Sequence, residues 1–96
     1  PTYSQNAVPV NYELSSNYPN PFNPTTQIKF GLPEAQFVQL TVFDITGREV
    51  ARLVEGSFGA GYHTVTFDAS ALASGVYLYR IVAGSFVESR KMILMK

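Results

Sequence analysis

The sequence contains no cysteine and no tryptophan, and its only histidine is His63. Without cysteine the chain has no disulfide, no thiolate metal site and no thiol nucleophile. A single histidine does not make a zinc site. The acidic residues are scattered, and nothing in their spacing pairs two carboxylates as glycoside hydrolysis requires. We therefore predict a protein that is not an enzyme and that uses no cofactor or metal.

The charge is balanced, with seven basic and seven acidic residues and a formal net charge of +0. Such a chain lacks the basic surface that attracts nucleic acid or an anionic membrane. No apolar run approaches the ~20 residues of a membrane-spanning helix, and no signal peptide begins the sequence. The sequence therefore predicts no nucleic-acid partner and no transmembrane segment.

Apolar and polar residues alternate through most of the chain, which is typical of strands with one buried face. Turn signals separate these runs at intervals of roughly 8–12 residues, the spacing of a β-sandwich. The runs cover residues 10–16, 26–32, 37–45, 48–54, 62–68, 76–82 and 86–96. We predict an all-β sandwich of about seven antiparallel strands.

Three connecting segments carry further predictions. Residues 48–54 also fit a helix, but a run this short between tight turns favours a strand. Residues 56–61 are glycine-rich and predict a loop. Residues 69–75 predict one helical turn, ended by Gly75, with Leu72 covering one end of the core.

The segment NYPNPFNPTT, residues 17–26, interrupts the alternation with three prolines. Each proline lacks a backbone donor, so this segment cannot be a central strand. We predict that it crosses between the two sheets and that Tyr18 and Phe22 pack it against the core.

The last predicted strand, FVESRKMILMK, is apolar on both faces near its end. A surface strand normally keeps one face polar. The strand is therefore either buried between neighbours or an edge with which another chain pairs. Both interpretations stay open, and the second includes weak self-association of the chain through this strand.

Four segments follow one another with the spacing of a known family: NYPNPFNPTTQIKFGLP, VFDITGREV, GYHTVTFDASALASGVYLYRI and FVESRKMILMK. Over residues 12–96 the chain resembles the type A family of C-terminal sorting domains of the type IX secretion system. The resemblance implies an immunoglobulin-like β-sandwich at the end of a larger precursor. It implies a non-catalytic signal that directs this precursor from the periplasm of a Gram-negative bacterium to the cell surface or the medium.

The resemblance also implies partners and site residues. The partners are the type IX translocon, a sortase-like protease that removes the domain in many members, and a cargo domain preceding residues 1–11. Those residues have the composition of a linker, and a first residue other than methionine agrees with a longer precursor. The implied recognition residues are Pro19, Asn20, Pro21, Gly75, Tyr77, Lys91, Met92, Ile93, Leu94 and Lys96. Because the terminal strands matter most for recognition in the family, capture of the last strand is favoured.

Two other functions stay open. The TGREV and GVYLYR stretches are also similar to the immunoglobulin-like domain of the flagellar hook-capping protein. Aromatic residues beside the prolines, Tyr18 and Phe22, leave an accessory carbohydrate-binding module of a secreted polysaccharide-degrading enzyme as a third hypothesis.

Overall fold

The computed structural model describes residues 8–96, which form seven β-strands and no helix. The strands are β1 (Glu13–Leu14), β2 (Thr25–Leu32), β3 (Gln36–Asp44), β4 (Glu49–Phe58), β5 (Gly61–Asp68), β6 (Gly75–Ala83) and β7 (Phe86–Leu94). They make two antiparallel sheets, the first in the order β1-β2-β5 and the second in the order β4-β3-β6-β7. The prediction of an all-β sandwich of about seven antiparallel strands is confirmed.

The strand order agrees with that of constant-type immunoglobulin sandwiches at every strand except β4. In those folds the first, second and fifth strands share one sheet, and the third, sixth and seventh strands share the other. The fourth strand belongs to the first sheet in those folds, whereas here β4 pairs with β3 in the second sheet. This order leaves β4 and β7 as the two edges of the second sheet.

The core lies between the sheets and uses the alternating apolar positions that the sequence pattern predicts. Removing one such large side chain from water contributes roughly 1.5–3 kcal/mol. The side chains with no exposed surface include Ile28, Phe30 and Leu32 of β2, Val38, Leu40 and Val42 of β3, Tyr79 and Ile81 of β6, and Met92 of β7.

Two predictions for the connections between β4 and β6 are wrong. The predicted loop over residues 56–61 is mostly strand, because β4 continues to Phe58 by pairing with the start of β3. Residues 69–74 form turns and no helix, and Gly75 is already the first residue of β6. Leu72 packs against the core as predicted. The choice of a strand over a helix for residues 48–54 is confirmed by β4.

The first predicted strand is also shorter than expected. Of the predicted run 10–16, only Glu13 and Leu14 form a strand with β2; Ser15 adds one backbone bond to Lys29, and Val10 is exposed. The predicted linker, residues 1–11, lies outside the described residues as far as residue 7. Pro9 is already buried against β2, where a Cβ added to Gly31 would lie 2.9 Å from Pro9 Cγ.

Two turns are closed by carboxylates with a lowered pKa. The Thr46 hydroxyl, more than the backbone N–H groups of Thr46 and Arg48, lowers the pKa of Asp44. The backbone N–H of Ser70, which donates to Asp68 Oδ1 at 2.9 Å, lowers the pKa of Asp68. Such groups stabilise the fold above their unfolded pKa, and this contribution is lost as the pH falls through the lower folded pKa.

Replacing both carboxylates should therefore make the free energy of unfolding less dependent on pH under acidic conditions. We expect Asp44→Asn/Asp68→Asn to lose less stability than the wild type as the pH falls below the ordinary aspartate pKa of 3.8, because asparagine keeps an acceptor and does not titrate. Urea denaturation near neutral pH and at about pH 3 measures this. An equal loss in both proteins would contradict it.

Candidate functional site

Residues 17–24, hereafter the crossing segment, pass from the first sheet to the second. At its start, Tyr18 pairs with Gln27 of β2 through two backbone hydrogen bonds of 2.9 Å. Further along, the Phe22 N–H donates to the Ile93 carbonyl at 3.0 Å, and the Phe22 carbonyl accepts from the Met95 N–H at 2.9 Å. The peptide bonds preceding its three prolines are cis. The predicted crossing between the sheets is confirmed.

The two aromatic side chains of the crossing segment have opposite environments. Phe22 is 2% exposed and packs against Phe67, with 6.2 Å between ring centroids. Tyr18 is 80% exposed, so the prediction that it packs against the core is wrong. The inward position belongs to its neighbour Asn17, whose Nδ2 donates to Thr26 Oγ1 at 3.0 Å. Alternation along the backbone then turns Tyr18 outward.

Asn20 joins the Pro-Asn-Pro motif directly to the last strand. Its Oδ1 accepts a hydrogen bond from the Ile93 N–H at 3.0 Å. With the bonds made by Phe22, this contact satisfies the N–H and carbonyl of Ile93 and the N–H of Met95. The apolar end of β7 is therefore covered by the crossing segment.

The start of β6 lies on the opposite side of β7. Gly75 pairs with Leu94, and Tyr77 pairs with Met92. The Tyr77 hydroxyl donates to the Ala73 carbonyl at 2.6 Å. This bond back to a nearby upstream carbonyl resembles the tyrosine corner of immunoglobulin-like sandwiches, and it gives Tyr77 a structural role.

The two lysines of the terminal strand differ in their contacts. Lys96 is held against the turns of residues 69–75: its Nζ donates to the Ser70 carbonyl at 2.6 Å, and its N–H donates to Ser74 Oγ at 2.9 Å. Lys91 is exposed beside Leu78 on the outer face of the second sheet. Within residues 8–96 no carboxylate pairs with it. Lys91 is therefore the lysine of this strand that is available to a partner.

Two side chains of the second sheet hold β1 and the residue that follows it against the sandwich, and the alternation of the sequence reveals neither contact. The Tyr79 hydroxyl donates to the Ser15 carbonyl at 2.6 Å, and Arg90 Nε donates to the Leu14 carbonyl at 2.7 Å. Burial raises the pKa of Tyr79, so the hydroxyl keeps its proton and stays a donor. A tyrosine or arginine at an inward-facing position of a strand is the sequence signal for such contacts.

The predicted site residues thus meet at one end of the sandwich, but they are not equally accessible. Tyr77, Met92 and Leu94 are buried, and Gly75 and Ile93 are half-buried. The exposed members are Pro19, Asn20, Pro21, Lys91 and Lys96. Only exposed or half-buried residues contact a partner while the domain stays folded.

An open pocket of about 240 Å³ lies beside Gly75. Its other lining residues are Asp44, Ile45, Ser74, Val76 and Tyr77. In the part of the chain that the structure describes, no three histidine or acidic side chains lie close enough together to hold a metal ion. No helix long and apolar enough to cross a membrane occurs there either.

Comparison of the chain with curated proteins gives no match. The family model described as the secretion system C-terminal sorting domain matches residues 16–95. The matched region contains the whole crossing segment and every strand from β2 to β7. The chain therefore belongs to the family of type IX secretion system C-terminal sorting domains.

Proposed function

We propose that this domain takes a larger precursor across the outer membrane because the export machinery binds the folded sandwich. Membership in the family supports a sorting signal for secretion or surface export from a Gram-negative bacterium. The observation that supports recognition of the folded form is the Asn20–Ile93 contact of 3.0 Å. It unites the Pro-Asn-Pro motif and the last strand in a single surface.

In this proposal the buried and exposed residues have separate tasks. Tyr77, Met92 and Leu94 fix the last strand and the start of β6 in place. Asn20 holds the crossing segment against β7, and Lys91 presents a positive charge to the partner. The Pro-Asn-Pro motif then acts mainly through the shape that it gives this surface.

The remaining parts of the proposal are those that the resemblance to the family implies. A cargo domain precedes the linker over residues 1–11, and residues 12–96 form the sorting domain. The translocon binds the domain on the periplasmic side. A sortase-like protease removes it in the course of export, and the cargo is anchored at the cell surface after this cleavage or without it.

A fusion of residues 12–96 to a folded periplasmic reporter tests the sorting function. In a host with a type IX system we expect the reporter at the cell surface or in the medium. The same fusion in a host without the system, and the reporter alone, are the controls. A reporter that stays in the periplasm while the fusion is folded and intact would contradict the proposal.

Lys91→Ala is expected to reduce export of this fusion and to leave the melting temperature within a few degrees. An exposed substitution typically changes stability by less than ~0.5 kcal/mol. The matched control is Lys29→Ala in the first sheet, where Lys29 lies over the Tyr62 ring at 4.6 Å. Export and thermal unfolding are measured for both variants. A large loss of stability in Lys91→Ala, with normal export of the surviving protein, would argue against a recognition role.

Carbohydrate binding is the second candidate function, and the exposure of Tyr18 favours it. Tyr62 is also exposed on the same sheet, although Lys29 covers its ring. Retention of the chain on an insoluble polysaccharide, lost in Tyr18→Ala, would support this function. The flagellar hook-cap alternative stays a prediction, and hook genes beside the parent gene would favour it.

A further inference from the structure

The outer edge of β7 has backbone groups whose direction is fixed by its contacts. Ile93 points both its N–H and its carbonyl away from β6, toward Asn20 and Phe22. The β6–β7 pairing continues without a shift from Gly75↔Leu94 to Ala83↔Phe86. In an antiparallel ladder the same direction recurs at every second residue. Lys91, Ser89 and Val87 therefore also point their N–H and carbonyl groups outward.

The crossing segment covers the last strand from Met95 back to Ile93 and extends no further toward the start of β7. Among residues 8–96, no backbone group bonds to the outward N–H or carbonyl of Val87, Ser89 or Lys91. Residues 87–91, hereafter the free edge, are thus an unpaired stretch of strand at the border of the sheet. Unpaired groups of this kind are a template for another strand.

The side chains beside the free edge define what kind of strand fits. The outward-facing side chains of β6 and β7 include two cations, Arg80 and Lys91, and no acid. Arg80 belongs to the inner strand β6 and lies over the Phe43 ring at 4.7 Å. Lys91 belongs to β7 and is therefore the cation at the edge of the sheet. The apolar Val87 is 57% exposed at the other end of the stretch. A complementary strand is therefore apolar beside Val87 and acidic beside Lys91.

We propose that the free edge accepts an extended strand of the protein that binds this domain in export. The added strand carries an acidic residue facing Lys91 and bonds to the backbone of Val87, Ser89 and Lys91. This inference rests on the proposed sorting function, because it specifies how the export partner binds. It moves the docking position from the apolar end of β7 to its middle.

Two structural features favour this partner over a second copy of the chain. Two copies paired at the free edge would bring both Lys91 side chains to one sheet surface without an acid between them, and like charges oppose strand pairing. The crossing segment also blocks the edge beyond Ile93, so an added strand can pair over only a short stretch. A short pairing of this kind favours a partner with complementary side chains.

Ser89→Pro tests the proposal at its centre. The proline removes an outward N–H and leaves the bonds between β7 and β6 intact, because Ser89 makes none of them; proline is tolerated at such edge positions. Ser89→Ala is the matched control, since it changes the side chain and keeps the N–H. We expect the Ser89→Pro fusion to stay folded and to be exported at least about tenfold less than wild type, and Ser89→Ala to be exported normally.

The outcomes separate this inference from the function on which it rests. Export of Ser89→Pro at the wild-type level would overturn the docking edge and leave the sorting function standing. A wild-type fusion that is not exported would overturn both. Should Ser89→Pro unfold, Lys91→Glu decides, because it reverses the charge that the partner meets; unchanged export of that variant would overturn the proposal. Concentration-dependent dimers in sedimentation that Ser89→Pro abolishes would overturn the proposal, because they would show that the free edge binds a second copy of the chain.

Discussion

Phe22→Ala is expected to lower the free energy of unfolding by about 3–5 kcal/mol, the range for removing a buried phenylalanine ring. The ring lies in the core against Phe67. Tyr18→Ala is the matched control in the same segment, and its exposed ring predicts a loss below ~0.5 kcal/mol. Urea denaturation of the two variants measures this difference.

Loss of the Phe22 ring should also loosen the contact between the crossing segment and β7. The Met95 N–H donates to the Phe22 carbonyl, so its hydrogen exchange reports on that contact. We expect faster exchange at Met95 in Phe22→Ala and wild-type exchange in Tyr18→Ala. Unchanged exchange in both variants would mean that the ring does not hold the crossing segment in place.

Tyr79→Ala is expected to lose a similar ~3–5 kcal/mol, because the Tyr79 side chain has 0% exposure at the centre of the second sheet. Tyr79→Phe separates the ring from the hydroxyl. It keeps the packing and removes the 2.6 Å bond to the Ser15 carbonyl, which is worth roughly 1–2 kcal/mol when the acceptor is left unpaired. Thermal and urea unfolding measure both losses.

The exposed neighbour Leu78 supplies the control for this position. Leu78→Ala lies one residue away on the outer face and should change stability far less than Tyr79→Ala. A Tyr79→Phe variant as stable as wild type would contradict the role of the hydroxyl, since it would show that water replaces the bond to Ser15.

The sequence predicts the core faces of this fold well, because a strand reverses its side chains at every residue. Ile28 and Phe30 of β2, for example, are buried as their alternation indicates. Alternation does not show whether a partner strand is present. Val10 and Leu14 follow the same pattern, yet only Leu14 lies opposite β2, so the predicted first strand is too long. Gly56 predicts a loop, but pairing with Val38 of β3 keeps it in a strand.

The sequence also supplies candidate site residues without the contacts between them. Asn20 and Ile93 are 73 positions apart, and Arg90 and Leu14 are 76 positions apart. Periodicity reports only on neighbours along the chain, so it does not reveal these contacts. Lys91 and Lys96 have the same chemistry in the sequence. Only their surroundings show that the Ser70 carbonyl holds Lys96, whereas no carboxylate among residues 8–96 pairs with Lys91.

The contact between Asn20 and Ile93 makes the surface depend on the whole length of the domain. Asn20 emerges early in synthesis and has no strand to bind until Ile93 has been made and placed beside β6. A chain cut short before that point leaves the Asn20 side chain and the backbone of Phe22 without their partners in the last strand. In the proposed recognition of the folded sandwich, the partner therefore binds only a domain whose last strand has been made and placed beside β6.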